Sequence, residues 1–313
     1  MKRIFTLTIN PALDKSTSVA GVVPFKKLRC DVPIYEPGGG GINVSRAIKK
    51  LGGSSIAIYL SGGPTGEHMK ELLDVEGIEQ KSIAIQEWTR ENLAVTDTKN
   101  EHQFRFGMPG PVVQEKEWQQ VLEELPTLLR EGDFLVASGS LSPNVPADFY
   151  ARVAKIVQGI KAKMILDTSG RALELGAKAG VFMLKPNLGE LSSLCGVDQI
   201  TTENIETLTL EFLKEFHCTV MVVSMGAKGA MLVTSNGIEH IQAPTVPHVS
   251  SIGAGDSMVG GMVLGLAHGD SFSELAKYGV ACGTAATMTP GTQLCLKEDV
   301  DRLYLWLTQQ KNI

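Results

Sequence analysis

A regular alternation of strand patterns with helical patterns constrains the fold of this chain more than any other feature. Three such strand and helix pairs lie at residues 55–60 with 66–75, 133–138 with 147–158, and 163–167 with 171–178. Strands that alternate with helices form a parallel sheet that is covered by helices on both faces. We therefore expect an α/β fold, a three-layer α/β/α sandwich with a mostly parallel central sheet.

Two segments, residues 15–36 and 80–107, interrupt this alternation with charged, strand-type patterns. They predict a small separate β-sheet that is inserted into a main domain made of residues 1–14, 37–79 and 108–313. A small sheet beside the strand ends can close over a ligand and exclude water. We interpret it as a lid that also forms the contact of a homodimer; an extension of the sheet edge is the alternative.

Composition excludes several classes of function. With 313 residues, 43% hydrophobic residues and a net charge of −5, the chain has the composition of a globular protein without the basic face that nucleic acids require. No apolar run approaches the roughly 18 residues of a membrane helix. The first strand pattern is too short for a signal peptide. We expect a cytoplasmic protein that binds neither nucleic acid nor membrane.

A loop of small residues, Gly253-Ala254-Gly255, delivers Asp256 to the start of an apolar helical pattern. Glycine lets the main chain approach an anion closely, and the first turn of a helix has unpaired N–H groups that bind phosphate. An aspartate there competes with the anion unless it acts on a ligand. Asp256 is therefore a candidate base beside a phosphate site, with a helix cap as the alternative.

Four consecutive glycines, residues 38–41, precede Asn43 and a second helical pattern. Glycine is costly in backbone entropy, so a merely connective role is disfavoured unless close ligand approach or hinge motion compensates. The run can hold a hydroxylated ligand against bare backbone, with the Asn43 amide donating and accepting. It is not a dinucleotide fingerprint, because no acidic residue follows about 20 residues later.

Further polar residues follow other predicted strands. Asp14 comes after the first strand and can accept two sugar hydroxyls, with an Asx turn or helix cap as the alternative. Lys185 precedes Asn187 and Glu190, whose spacing suits a water-mediated Mg²⁺ and phosphate cluster. A capping box would use the same geometry.

Two more groups of residues are candidates for phosphate binding. A glycine-containing loop, residues 224–229, follows the strand pattern at 219–223. Lys27, Arg29, Arg90 and Arg105 lie on the expected lid, where they can form a cationic clamp. A solvated charged face is the alternative for each of them.

Taken in order, these motifs resemble the phosphofructokinase B family of ribokinase-like carbohydrate kinases. The match runs from Thr6 to Gly291 and implies the ribokinase-like sandwich with a small β lid. The segments 37–44, 88–92, 184–191 and 253–260 are most similar to the 6-phosphofructokinase branch. Family members that act on tagatose 6-phosphate or fructose 1-phosphate typically carry a lysine at the position of Gly40.

The resemblance implies that Asp256 removes the proton of the C1 hydroxyl of fructose 6-phosphate as this hydroxyl attacks the γ-phosphate of ATP, which yields fructose 1,6-bisphosphate. The backbone of Gly253, Ala254 and Gly255 would stabilise the phosphoryl group in flight. The implied sugar-phosphate site consists of Asp14, Lys27, Gly38, Gly39, Asn43, Arg90 and Ser140. The implied nucleotide site consists of Lys185, Asn187, Ser224, Gly226 and Gly229, with Glu190 organising Mg²⁺ through water.

Family members also use a monovalent cation, usually K⁺, which main-chain carbonyls hold beside the anion loop. The matching positions are Ser250, Ile252, Ala286, Thr289, Gly291 and Gln293. Many relatives have Asp-Thr where this chain has Ser250-Ser251. Three alternatives stay open: a tagatose-6-phosphate kinase, a 1-phosphofructokinase, and a non-catalytic sensor of sugar phosphates or nucleotides, although Asp256 in an intact loop argues against the sensor.

Overall fold

The computed structural model describes residues 2–201, 203–291 and 293–309. The strands are β1 (Ile4–Thr8), β2 (Ala12–Val19), β3 (Ile34–Gly38), β4 (Ile56–Ser61), β5 (Glu79–Ala84), β6 (Arg90–Asp97), β7 (His102–Phe106), β8 (Phe134–Ser138), β9 (Lys163–Asp167), β10 (Met183–Leu184), β11 (Val220–Ser224), β12 (Ala230–Thr234) and β13 (Gly237–Ile241). The helices are α1 (Gly40–Lys50), α2 (Gly63–Val75), α3 (Glu115–Leu128), α4 (Phe149–Ile160), α5 (Gly170–Lys178), α6 (Leu188–Cys195), α7 (Ile205–Glu215), α8 (Ala254–His268), α9 (Phe272–Ala286) and α10 (Lys297–Gln309). Among the described residues, no helix is both long and apolar enough to cross a membrane.

The main sheet has nine strands in the order β13-β12-β11-β10-β9-β8-β1-β4-β5. The seven strands from β11 to β5 are parallel, whereas β12 and β13 add an antiparallel edge. The predicted mostly parallel sheet is thereby confirmed. Since parallel strands end at the same edge, the loops after β1, β8, β9 and β10 share one side of the sheet, where ligands bind in such folds.

Alternating side chains of the sheet strands point into two separate cores. Phe5 and Leu7 belong to the core under α3 to α7, whereas Ile4 belongs to the core under α1, α8, α9 and α10. A sheet buried on both faces explains why its strands are nearly continuous hydrophobic runs. These layers confirm the predicted three-layer sandwich.

A second sheet, with the order β3-β2-β6-β7, is inserted between units of the main one. The two segments predicted to form it contribute all four strands, but with different bounds. Residues 80–84 were assigned to this sheet, which was wrong: they form β5, and Glu79 pairs with Ile56 of β4 in the main sheet. An edge strand keeps a solvated side, so its charged residues resemble those of a lid strand. The small sheet also reaches further than predicted, because Ala12 pairs with Gly38.

The glycine run connects β3 to α1 and packs against the ends of β1 and β8. A Cβ on Gly40 would lie 2.7 Å from the backbone nitrogen of Gly139, and one on Gly41 would lie 2.6 Å from Thr8 Oγ1 and 2.8 Å from the Leu7 carbonyl oxygen. Gly39 has a φ of 112°, which disfavours other residues. Close packing therefore requires these glycines and brings the start of α1 to the strand ends.

We expect Gly41→Ala to lower the free energy of unfolding by about 1–3 kcal/mol, because the new methyl group would overlap backbone that cannot move aside. The measurement is denaturant unfolding followed by circular dichroism. Gly159→Ala is the matched control: a Cβ there meets nothing within 4 Å on the exposed side of α4. That change should stabilise by up to about 1 kcal/mol. Equal stability of the two variants would contradict the packing argument.

Candidate active site

The amino end of α8 forms the centre of the candidate site. Gly253 adopts the left-handed conformation, with φ of 70°, and a side chain there would overlap Leu294. The first helical bond runs from Ser257 N–H to the Gly253 carbonyl, at 2.8 Å. The N–H groups before Ser257 therefore lie outside the helical ladder, and the positive end of the helix dipole faces the same space. This arrangement can bind an anion, as predicted for the loop.

Asp256 lies in the first turn of α8 and contacts the motif that begins α1. Asn43 Nδ2 donates to Asp256 Oδ2 at 2.9 Å, although the two residues are 213 positions apart in sequence. Asn43 Oδ1 is buried and has no hydrogen-bond partner among the described residues. A buried acceptor without a donor is unfavourable, so a ligand hydroxyl placed here would be stabilised. The glycine run and the anion loop thus converge on one point.

A buried ion pair supports the anion loop from the strand side. Lys185 Nζ lies 3.2 Å from Asp167 Oδ1, and it is 3.6 Å from the point that a Cβ on Gly255 would occupy. Burial lowers the pKa of Lys185, but attraction to Asp167, and more weakly to Glu190 and Asp256, raises it overall. Lys185 is therefore a permanent positive charge beside the loop.

Asp167 belongs to the candidate site, although no motif in the sequence marks it. It is the last residue of β9, and Ser138 Oγ lies 3.5 Å from its Oδ2. The available signal was its place at the carboxyl end of a predicted strand, where ligand-binding residues of parallel sheets lie. No glycine motif accompanies it, so it resembled an ordinary strand end.

The pKa of Asp256 is raised to about 7. Removal from water is the largest cause, and repulsion by Asp167 adds to it. The hydrogen bond from Asn43 and the charge of Lys185 oppose the rise. A carboxyl group with a pKa near neutrality can accept a proton from an alcohol during a reaction and release it afterwards.

Asp14 lies in β2 on the lid side of the site. Its Oδ1 accepts from Asn92 Nδ2 at 2.8 Å, and a side chain at Gly38 would overlap its carboxylate. Burial raises the pKa of Asp14, against the Asn92 hydrogen bond and the attraction of Arg90. Two predicted sugar-binding residues, Asp14 and Gly38, are thus in contact.

Arg90 and Lys27, two residues of the expected cationic clamp, have different environments. Arg90 donates to the carbonyls of Asn10 and Met108, both at 3.0 Å, and to that of Pro11 at 3.4 Å. These bonds join the lid to the loop after β1. They use three of the five N–H groups of the Arg90 guanidinium. Lys27 is exposed on the loop between β2 and β3, and it forms no hydrogen bond or ion pair with any described residue. Within one chain, the structure therefore does not hold Lys27 in the site.

Ser140 follows β8 on the same edge of the sheet. Its hydroxyl accepts from Asn10 Nδ2 at 3.1 Å, and its side chain is exposed. Asn10 Oδ1 is buried and lacks a partner among the described residues. The loops after β1 and β8 thus present polar groups next to each other.

Asn187 and Glu190 form the capping box that the sequence analysis kept as an alternative. Asn187 Oδ1 accepts from the Glu190 N–H, and Glu190 Oε2 accepts from the Asn187 N–H, both at 2.9 Å. Burial raises the pKa of Glu190, with attraction to Lys185 among the opposing effects. Among the described residues, no cluster of three or more acidic, histidine or cysteine side chains could hold a metal ion. A divalent ion at this place would need ligands from water or phosphate.

The predicted nucleotide loop connects β11 to β12. Asn187 and Ser224 lie side by side in a parallel bridge, so this loop adjoins the start of α6. Gly226 and Gly229 both have positive φ, and a Cβ on Gly229 would lie 2.6 Å from the Ala243 nitrogen. The two glycines are therefore required by the turn itself.

The six positions predicted to bind a monovalent cation lie on the loop before α8 and on the segment from the last residue of α9 onward, which meet beside the start of α8. Val249 N–H donates to the Thr287 carbonyl at 2.8 Å, and Ser250 Oγ accepts from Ile252 N–H at 3.2 Å. Thr289 Oγ1 bonds to the carbonyls of Ala286 and Leu294, at 3.0 and 2.9 Å. Gly291 has a φ of 60°, and Gln293 N–H donates to Pro290 at 3.4 Å. The structure thus brings both segments together, with the Ala286 carbonyl already accepting from Thr289.

The strand ends of this α/β/α sandwich carry a helix dipole, a buried lysine and a carboxyl group with a pKa of about 7. These are attributes of an enzyme that transfers phosphoryl groups. Similarity to known proteins identifies the family of this chain. Its residues 23–299 match the pfkB family of carbohydrate kinases, and the chain belongs to that family.

The most similar relatives include an Escherichia coli strain K12 protein named ATP-dependent 6-phosphofructokinase isozyme 2. It is 40% identical over 310 residues, which cover 99% of this chain and 100% of the relative. Three structures of phosphofructokinase-2 from E. coli cover 99% of this chain and 100% of theirs. They are a complex with potassium (TM-score 0.95, 40% identity), a complex with fructose-6-phosphate (0.93, 39%) and a tetrameric inhibited form (0.94, 39%). The predicted ribokinase-like fold is confirmed.

We expect Asn43→Ala to raise the pKa of Asp256 above about 7, because the lost hydrogen bond stabilises the charged carboxylate. The measurement is a carboxyl-carbon NMR titration of protein labelled at aspartate. Asn92→Ala is the matched control, since it removes the equivalent amide bond to Asp14. The control should shift the Asp256 midpoint far less, because Asn92 acts on it only through the charge of Asp14. A fall of that midpoint in Asn43→Ala would contradict the assignment.

Proposed function

We propose that this protein is an ATP-dependent kinase that transfers the γ-phosphate of ATP to the C1 hydroxyl of fructose 6-phosphate and forms fructose 1,6-bisphosphate. The observation that carries the proposal is the contact between Asn43 and Asp256 at the amino end of α8. It joins the glycine run, suited to a hydroxylated ligand, to the anion loop. The relatives named as 6-phosphofructokinases support the same reaction.

In this mechanism Asp256 is the general base. The C1 oxygen attacks the γ-phosphorus, its proton passes to Asp256, and the bond from phosphorus to the bridging oxygen of ADP breaks. The N–H groups of Gly253, Ala254 and Gly255, with Lys185 beside them, stabilise the negative charge of the transferring group. Positioning and charge neutralisation account for most of the catalysis of phosphoryl transfer.

The sugar phosphate is held between the glycine run and the lid. The proposed contacts are Asp14, Gly38, Gly39, Asn43 and Ser140 for the sugar, and Arg90 and Lys27 for its phosphate. Asp14 lies against Gly38, the Asn43 N–H donates to the Gly39 carbonyl, and the Asn43 amide contacts Asp256. Arg90 carries N–H groups beyond its three carbonyl bonds, whereas Lys27 must move or come from a second copy.

The proposed nucleotide site lies on the loops after β10 and β11. The proposed contacts are Lys185, Asn187, Ser224, Gly226 and Gly229. Glu190 binds Mg²⁺ through water, and Asp167 adds a second carboxylate to the same cluster. When bound, Mg²⁺ supplies charge neutralisation on the phosphates.

The proposed potassium site lies beside the start of α8. The proposed ligands are oxygen atoms of Ser250, Ile252, Ala286, Thr289, Gly291 and Gln293. Carbonyl and hydroxyl oxygens replace the hydration shell of such an ion. The potassium complex of the E. coli relative supports this assignment.

A panel of sugar phosphates tests the proposal. Release of ADP is measured with fructose 6-phosphate, tagatose 6-phosphate and fructose 1-phosphate. Fastest turnover of fructose 6-phosphate supports the proposal, and a preference for another sugar selects that alternative kinase. Binding without turnover would identify a non-catalytic sensor.

We expect Asp256→Asn to bind the sugar phosphate normally and to lose roughly 10²- to 10⁴-fold in kcat, the usual effect of removing a positioned base. Steady-state kinetics and calorimetric binding measure the two quantities. Near-normal turnover would remove Asp256 from the mechanism. Asp270→Asn is a control, because Asp270 lies beyond the other end of α8.

The assembly that we propose is a cytoplasmic homodimer formed through the lid. Phe25, Val32 and Ile34 are 106%, 89% and 62% exposed, and Phe106 on β7 is 48% exposed. Exposed apolar side chains concentrated on one small sheet and on the loop between its strands β2 and β3 are typical of an interaction surface. The E. coli relative is described as tetrameric in its inhibited form, so a larger assembly is a second outcome.

We expect Val32→Asp with Ile34→Lys to produce a monomer, because charges replace the apolar contact. Light scattering after size-exclusion chromatography measures the mass. Val75→Asp is the control, since Val75 is 85% exposed on α2 of the main domain. A dimer that survives in the double variant would place the interface elsewhere.

A further inference from the structure

A buried arginine connects the lid to the main domain just behind the candidate site. Arg46 lies in α1, three residues after Asn43, and is 3% exposed. Its Nε donates to both carboxylate oxygens of Glu76, each at 2.9 Å. Its Nη2 bonds to Glu36 Oε1 and its Nη1 to the Pro37 carbonyl, both at 3.1 Å. One guanidinium therefore joins α1 to two other segments, β3 and the residue after α2.

On the main-domain side the anchoring is firm. The Ile42 N–H donates to Thr8 Oγ1 at 2.9 Å, and the hydroxyls of Thr6 and Ser45 are 2.8 Å apart, so α1 is tied to β1. Glu76 follows the last residue of α2, so its bonds to Arg46 also tie the end of α2 to α1. Arg46 thus extends from a rigid part of the molecule.

On the lid side the anchored residues lie next to the glycines of the candidate site. Glu36 and Pro37 are the last residues of β3 before Gly38, and Glu36 is paired across the sheet with Asp14. Because the Asp14 carboxylate lies against Gly38, a displacement of β3 also displaces Asp14. The ion cluster therefore spans the connection between lid and main domain at the place where the sugar is expected.

We propose that Arg46 is a positioning residue for sugar binding: through Glu36 and Pro37 it fixes β3 against α1, and so holds Asp14 at the correct place relative to Asn43 and Asp256. The proposal rests on the proposed kinase function and assigns to this ion cluster a role in substrate affinity. Arg46 itself is not a catalytic residue.

Energetics favour a geometric role over a purely stabilising one. Burying a guanidinium costs desolvation energy that its ion pairs only partly offset, and apolar residues of similar volume often stabilise a core as well or better. What a planar guanidinium adds is fixed geometry, since it binds two carboxylates and a carbonyl in one plane. The cluster is therefore suited to holding β3 in a fixed position relative to α1.

The test compares Glu36→Ala and Arg46→Lys with Glu67→Ala as a matched control. Glu36→Ala removes the carboxylate bond from β3 to Arg46 and leaves the Pro37 carbonyl bond, and Arg46→Lys keeps the charge but loses the planar fork. Glu67 is 69% exposed on α2, and its partner is Lys70. In both test variants we expect KM for fructose 6-phosphate to rise about 10- to 100-fold, with KM for ATP unchanged, because only the sugar contacts are misplaced. The control should match the unmodified protein.

A second measurement does not depend on turnover. Amide hydrogen exchange of β3 should be faster in Glu36→Ala than in Glu67→Ala, whereas exchange of β11 should be the same. Unchanged sugar KM in a folded Glu36→Ala, or equal increases in both KM values, would overturn the proposal. If the unmodified protein turned over no sugar phosphate, the proposed function would fail. Independently of turnover, equal β3 exchange rates in Glu36→Ala and Glu67→Ala would contradict the positioning role of Arg46.

Discussion

The site depends on one electrostatic balance, the placing of the Asp256 carboxyl group in a poorly hydrated space beside the positive end of α8. Burial and the charge of Asp167 favour its protonated form, whereas Asn43 and Lys185 favour the carboxylate. These opposing effects bring its pKa to about 7, where the group can exchange a proton at neutral pH. Without Lys185 and Asn43, the same burial would keep the group protonated.

That balance requires several main-chain segments to approach within van der Waals contact. Gly40 and Gly41 lie against the ends of β8 and β1, so α1 can carry Asn43 to Asp256. The same closeness leaves no room for side chains in the run, which explains four glycines in succession. Arg46 then connects this packed corner to the lid. The residues that pack this corner are thus also residues of the candidate site.

Much of the fold could be predicted because its elements have strong local signals. Strand and helix patterns from 133 to 178 correspond to β8, α4, β9 and α5 within three residues. Residues 80–84 were misplaced because an edge strand has the charged, alternating pattern of a lid strand. Within the predicted lid segment 15–36, β3 begins only at Ile34, since alternation alone does not supply a pairing partner.

For the candidate site, the motifs were visible in the sequence but their contacts were not. The sequence by itself determined the parallel sandwich, the anion loop before Asp256 and the glycine run before Asn43, because periodicity and glycine content are local properties. Only the tertiary structure decided that Asp256 meets Asn43, that Asp167 pairs with Lys185, and that Arg90 binds main-chain carbonyls. Those contacts, and the raised pKa that follows from them, arise from residues far apart in the chain, whose distances and burial exist only after folding.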